Sequence, residues 1–276
     1  MLPMPRNTIL STVVALFLCV FSVQAFAEVL TMGSALNKAG RQRMLTQNIM
    51  KNYLALGLEV DVVRARDELD RSVALFEEQF QELTEYAPSQ TISASLSKVE
   101  DLWFEYRALA IGKVSKENAA KILDRNNAIL AACHQVVLDL EAHAGRTSAK
   151  MVNTSGRQRM LSQRIAAYYF AHAWGFRDAE SVAAFEKAKA EYGAGLTTLM
   201  AFDKNTVDIR ASLKKVEAQW QFSNTGFEQL EDGNYVPHVI SVTTNGMLKR
   251  MDAITHLYED LDVSLSTGAV AANVEH

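Results

Sequence analysis

Residues 39–47 read AGRQRMLTQ, and residues 155–163 read SGRQRMLSQ. A Gly-Arg-Gln-Arg-Met-Leu box therefore occurs twice, 116 positions apart. The match extends outward from it. Asn37 and Ile49 frame the first box as Asn153 and Ile165 frame the second, and Tyr53 falls with Tyr169. Ser72-Val73-Ala74 with Phe76-Glu77 resembles Ser181-Val182-Ala183 with Phe185-Glu186. Ile92, Ala94-Ser95-Leu96, Lys98-Val99-Glu100 and Trp103 return, displaced by 117, as Ile209, Ala211-Ser212-Leu213, Lys215-Val216-Glu217 and Trp220. A weaker echo sets Asn127 against Asn245 and Leu130 against Leu248. Collinear matches at a nearly constant displacement mean a tandem duplication. Unit one covers residues 28–146 and unit two residues 147–265, with a small polar tail at 266–276 that is expected to be disordered.

Apolar residues recur at three and four positions, few stretches alternate with period two, and proline is scarce, so the chain reads as all-helical. Each unit divides into four helices. In unit one these are 30–58, 61–86, 91–112 and 115–145, with Pro88 and Gly112 marking breaks. In unit two they are 148–176, 178–202, 206–230 and 235–264. Short connections favour antiparallel neighbours. The expected architecture is two tandem up-down four-helix bundles. Both box helices then run in the same direction, which suits a pseudo-twofold axis between the units.

Residues 1–27 have the parts of a secretory signal peptide. Arg6 gives a positive start, Ile9 to Val23 carry no charge, and Ala25-Phe26-Ala27 is a small-residue cleavage site. Cleavage removes one cation and no acid, so the net charge moves from -4 to -5. No other apolar run is long enough to span a bilayer. The expected location is periplasmic. Only Cys133 remains after cleavage, which excludes an intramolecular disulfide, and its apolar helical setting marks an inert core residue.

On a helical wheel Leu45, Ile49, Tyr53 and Leu56 share one side of the first box helix. Gly40, Arg43, Gln47, Met50 and Leu54 share the opposite side. The matching stripes of unit two are Leu161, Ile165 and Tyr169 against Gly156, Arg159, Gln163, Ala166 and Phe170. One face fills the unit's own core. The other suits a helix-helix interface in which glycine allows close approach. If the two second faces meet, Arg43 and Arg159 converge, and two partly desolvated guanidinium groups need a negative partner. No acid occurs in residues 29–58 or 142–176, which together carry nine cations. A small oxyanion satisfies such a pair through parallel charge-assisted bonds. Alternatively, Glu100 and Glu217 of the equally repeated third helices neutralise the arginines without any ligand.

The two boxes resemble that of the PilJ-type ligand-binding domain, the periplasmic N-terminal module of type IV pilus chemotaxis transducers. They are more distantly similar to the periplasmic helical module of nitrate/nitrite sensor kinases. The resemblance implies an up-down four-helix sensor bundle that holds nitrate or nitrite between two first helices, with one arginine from each. Carried onto this sequence, that pattern lands on Gly40, Arg43 and Met44, and on Gly156, Arg159 and Met160. Arg41 and Arg157 add charge, while Gln47 and Gln163 are expected to shape the walls. The chain departs from those sensors in having no second transmembrane helix, linker helix or methylation or kinase module, so a membrane sensor or transducer is the expected partner.

Elsewhere, His256-x-x-Glu259 has metal-compatible spacing but no matching pair, and His134 and His143 have no convergent ligand set. Trp103 and Trp220 read as core anchors. There is no nucleophile-base pair, no phosphate loop and no nucleic-acid patch. The sequence points to a non-enzymatic oxyanion-binding module that uses no metal or cofactor, with nitrate ahead of nitrite. The alternative is a helical interaction or structural protein of a pilus, envelope or sensory complex.

Overall fold

The computed structural model describes residues 30–145, 147–228 and 236–268. The signal segment 1–27 and residues 269–276 of the tail lie outside the described residues. Eight helices follow in chain order among them: α1 (Met32–Gly57), α2 (Val62–Tyr86), α3 (Gln90–Ala110), α4 (Lys116–Ala144), α5 (Thr147–Ala173), α6 (Ala179–Met200), α7 (Val207–Glu228) and α8 (Pro237–Ser266). Every helix read from the periodicity is present, with ends moved by at most three residues, except that the expected end at 230 and start at 235 lie outside the described residues. The expected α5 overruns because Gly175, at φ +95°, turns the chain in the left-handed region that glycine adopts without strain. Ser89, Ser115 and Asp178 cap α3, α4 and α6 by accepting a backbone N–H with the side chain.

Within unit one, α1 bonds α2 through Gln42 to the Phe76 carbonyl and Asn48 to Ser72, which fixes an antiparallel pair. Gln47 to Asn126 and Tyr53 to the Lys113 carbonyl do the same for α1 and α4. In unit two, Ser148 to Asp262 and Tyr169 accepting from the Val236 N–H set α5 antiparallel to α8. The repeated tyrosines thus hold the start of each fourth helix. The repeated tryptophans serve the cores, Trp103 stacked on Phe76 at 3.8 Å and Trp220 against Tyr192 at 4.5 Å.

The most extensive helix contact in the molecule is α1 with α5. Gly40 lies on Gly156, and Gly57 lies under the Trp174 ring, so the two helices are parallel and in register. From Gly33 to Leu56 nearly every residue of α1 is buried, polar ones included. The two-faced wheel explains this. Leu45, Ile49 and Tyr53 enter the unit-one core, and Arg43, Gln47, Met50 and Leu54 are equally buried against unit two.

Candidate functional site

The close approach of Gly40 and Gly156 decides the geometry at the repeat axis. A Cβ built on Gly40 would lie 3.4 Å from Nη2 of both Arg43 and Arg159 and 3.8 Å from the Gly156 Cα. The two guanidinium groups do converge, and both are fully buried. Each crosses the axis. Arg43 Nη2 donates to the Asn153 carbonyl at 3.3 Å, and Arg159 Nη2 donates to the Asn37 carbonyl at 3.1 Å. The same asparagines cross with their side chains, Asn37 to Glu259 at 2.7 Å and Asn153 to Glu141. The box asparagine, glycine and second arginine therefore form a reciprocal clasp between the units.

A second polar layer lies one to two turns farther along. Lys51 donates to Gln163 and Asn245, both at 2.7 Å. Arg164 donates to Gln47 at 3.1 Å and Asn127 at 2.9 Å. Here each unit sends one cation into the other's glutamine and asparagine. Gln47 and Gln163 belong to this clasp, and neither lines the two clefts that flank it. The Asn127/Asn245 echo was the signal for this layer, but nothing local to the box named Lys51 or Arg164 as its donors.

Glu100 and Glu217 do not neutralise the box arginines. Glu100 is exposed and Glu217 only half-buried, because α3 and α7 pack on the outer sides of the bundles, away from the α1–α5 seam. The neighbours of the arginines come from α4 and α8 instead. Arg159 Nη1 meets Asp252 at 2.6 Å, and Arg41 meets the same carboxylate oxygen at 3.0 Å. Asp252 is repeat-equivalent to His134, on the spacing that pairs Asn127 with Asn245. Arg43 Nη1 accordingly meets His134 Nδ1 at 3.0 Å. Arginine has only donors, so Nδ1 accepts and neutral His134 keeps its proton on Nε2. The Nε of each box arginine has no hydrogen-bond partner, but among the described residues only Arg43 of the two forms no ion pair.

The electrostatics follow from this difference. Burial, then Arg157 and Arg159, push Arg43 down to about 9. Burial also lowers Arg159, to about 10, but Asp252 opposes it. Arginine does not lose its proton in proteins, so the depression marks how poorly a site compensates the charge. Arg43 is the less compensated of the two. Lys51 is pushed down to about 8 by burial, against Glu68. Burial sends the Cys133 thiol up to about 12, in keeping with an inert core residue.

Two clefts flank the clasp. The one on the far side of Asp252 from Arg159, which Arg159 itself does not line, has a volume of about 370 Å³ and is walled by Arg41, Met44, Asn245, Leu248, Lys249 and Asp252, with Glu68 beside them. The one in front of Arg43, of about 180 Å³, is walled by the repeat equivalents Arg157, Met160, Asn127, Leu130, Ala131 and His134. Arg164, Lys187 and Glu191 complete it. Arg41 and Met44 thus face one cleft, Arg157 and Met160 the other, and Gly40 and Gly156 face neither. The His256–Glu259 pair is occupied locally at 3.2 Å and by Asn37, and no metal-competent cluster occurs among the described residues.

Burial, Arg43 and Arg157 push His134 down to about 4, with Glu191 opposing. A histidine depressed in the fold stays neutral there while the unfolded chain takes up a proton below about 6.5. The stability it contributes is present above about 6.5 and is lost as pH falls toward 4. Thermal midpoints across that range are expected to fall less steeply for His134→Asn than for the parent. Parallel curves would show that His134 does not titrate against Arg43.

The family model described as type IV pili methyl-accepting chemotaxis transducer N-term matches residues 25–130 and again 143–239. Comparison with curated proteins and with solved structures gave no match. Among the described residues no helix is long and apolar enough to cross a membrane. Two family matches, one per unit and together covering most of the chain, meet on the α1–α5 seam that the duplicated box builds. The chain belongs to the PilJ family of chemotaxis transducer N-terminal sensory modules, and it carries that module twice.

Proposed function

We propose that this protein is an extracytoplasmic sensory module, exported by the segment 1–27, that binds a small planar oxyanion through its box arginines. Among inorganic oxyanions nitrate is the first candidate and nitrite the second. The observation that carries the reading is Arg43: a fully buried guanidinium with no carboxylate partner among the described residues, beside a cleft walled by further cations. A buried charge without a counter-charge is costly, and an anion at Arg43 and Arg157 removes that cost. Met160 shapes the pocket, and Gly40 and Gly156 keep the arginine heads together. Because Arg43 also bonds the Asn153 carbonyl across the axis, drawing it toward an anion loosens one arm of the clasp. That would let α5 shift against α1, a movement of the kind that sensors relay to a membrane-bound transducer.

Isothermal titration of the purified protein with nitrate, nitrite, sulfate and acetate tests this. Heat with a planar oxyanion that disappears in Arg43→Met, at unchanged helical circular dichroism, is the expected result. No heat and no thermal shift with any anion at millimolar concentration would overturn it. That outcome would favour the second reading, an interaction bundle of a pilus, envelope or sensory complex, which the self-satisfied bonds of the clasp also suit.

A further inference from the structure

The two clefts have repeat-equivalent walls, and one of them holds a carboxylate of the chain itself at a box arginine. In front of Arg159, the Asp252 carboxylate oxygen accepts from Arg159 at 2.6 Å and from Arg41 at 3.0 Å. In front of Arg43, the equivalent arginines Arg43 and Arg157 are present, but the equivalent of Asp252 is the neutral His134. Charges in the walls differ in the same sense. The Arg159-side cleft is walled by two cations, Arg41 and Lys249, and two acids, Glu68 and Asp252. The Arg43-side cleft is walled by four cations, Arg43, Arg157, Arg164 and Lys187, and one acid, Glu191. Glu191 reaches Arg157 from the α6 side at 2.8 Å, and among the described residues no carboxylate pairs with Arg43.

Resting on the oxyanion reading above, we infer that the cleft walled by Arg43, Arg157 and His134 binds a short aliphatic monocarboxylate, one per chain. Asp252 is the tethered image of that ligand. Its carboxylate shows the head group that a pair of box arginines accepts. The apolar part of the Arg43-side wall, Leu130, Ala131, Met160 and Ala188, is where such a tail would lie. A volume of about 180 Å³ leaves room for a few methylene groups behind the head. Nitrate satisfies the arginines equally but leaves those side chains against water, so a tailed acid gains the burial of its carbons. Asp252 occupies the other half permanently, which is why the chain binds one ligand and not two.

Calorimetry with propionate and with nitrate on four proteins tests this: the parent, Arg157→Ala, Arg41→Ala and His134→Asp. Propionate is expected to bind the parent at one per chain and about tenfold more tightly than nitrate, one or two methylene groups being worth that much. Arg157→Ala should weaken propionate by at least about tenfold, the loss of a charge-assisted bond. Arg41→Ala, its repeat equivalent, should leave propionate binding within about twofold. His134→Asp should abolish binding and raise the melting temperature, since the new carboxylate takes the ligand's place. Nitrate binding without propionate binding, two ligands per parent chain, or equal losses in Arg41→Ala and Arg157→Ala would overturn the inference while leaving the oxyanion reading intact. No binding of either anion would overturn both.

Discussion

Replacing Asp252 with alanine is expected to destabilise the protein by about 2–4 kcal/mol, because it strands the Arg159 guanidinium without a counter-charge. Arg159 is fully buried and Asp252 keeps 38% of its side-chain surface exposed toward the cleft. That opening lets water reach the vacated place, so the loss falls short of that for a wholly enclosed pair. In a chain of this size the thermal midpoint should drop by roughly 5–12 °C. The double variant Arg159→Met with Asp252→Leu should recover much of the loss, since removing both charges also removes the desolvation cost. Thermal unfolding followed by circular dichroism reads both results. An alanine variant that melts with the parent would show that Asp252 does not compensate Arg159.

Gly156 separates two effects of opposite sign. Alanine is the better helix former by about 1 kcal/mol. Its Cβ would sit 3.3 Å from Arg159 Nη2 and 3.8 Å from the Gly40 Cα, so the arginine head must yield slightly. Gly156→Ala is therefore expected to melt within a few degrees of the parent. Gly156→Leu has no such latitude. The branched side chain must enter the space held by Gly40 and two guanidinium heads, breaking the bond from Arg159 to the Asn37 carbonyl. A loss of about 3 kcal/mol is expected, at the upper end for overpacking, together with a larger separation of the units by small-angle scattering. If leucine melts like alanine, the close approach of α1 and α5 does not hold the units together.

The sequence carried a large part of this. Periodicity and breakers are local properties, so the eight helices were legible to within three residues. The duplication was legible because two collinear blocks preserve their spacing. The wheel of residues 40–54 placed Arg43 opposite Leu45 and Ile49, which suits a second face buried against a partner helix. The convergence of Arg43 and Arg159 followed on the condition that the two second faces meet.

What neutralises those arginines was not legible. Glu100 and Glu217 looked suitable because they repeat, yet repetition says nothing about which side of a bundle a helix occupies, and α3 and α7 lie on the outside. His134 and Asp252 lie 91 and 93 residues from the arginines they meet. Their meeting is set by the vertical register of α4 on α1 and of α8 on α5, which depends on the packing of whole helices. The roles of Lys51 and Arg164 were hidden for the same reason. They act across the axis on the other unit, and their targets appear only once α1 and α5 lie parallel with Gly40 on Gly156. The sequence by itself determined the helices, the duplication and the buried second face, because each is fixed by spacing along one chain segment. Only the tertiary structure decided that one half of the duplicated arginine clasp carries its own carboxylate and the other does not, because that depends on which side chains distant helices bring to the same arginine.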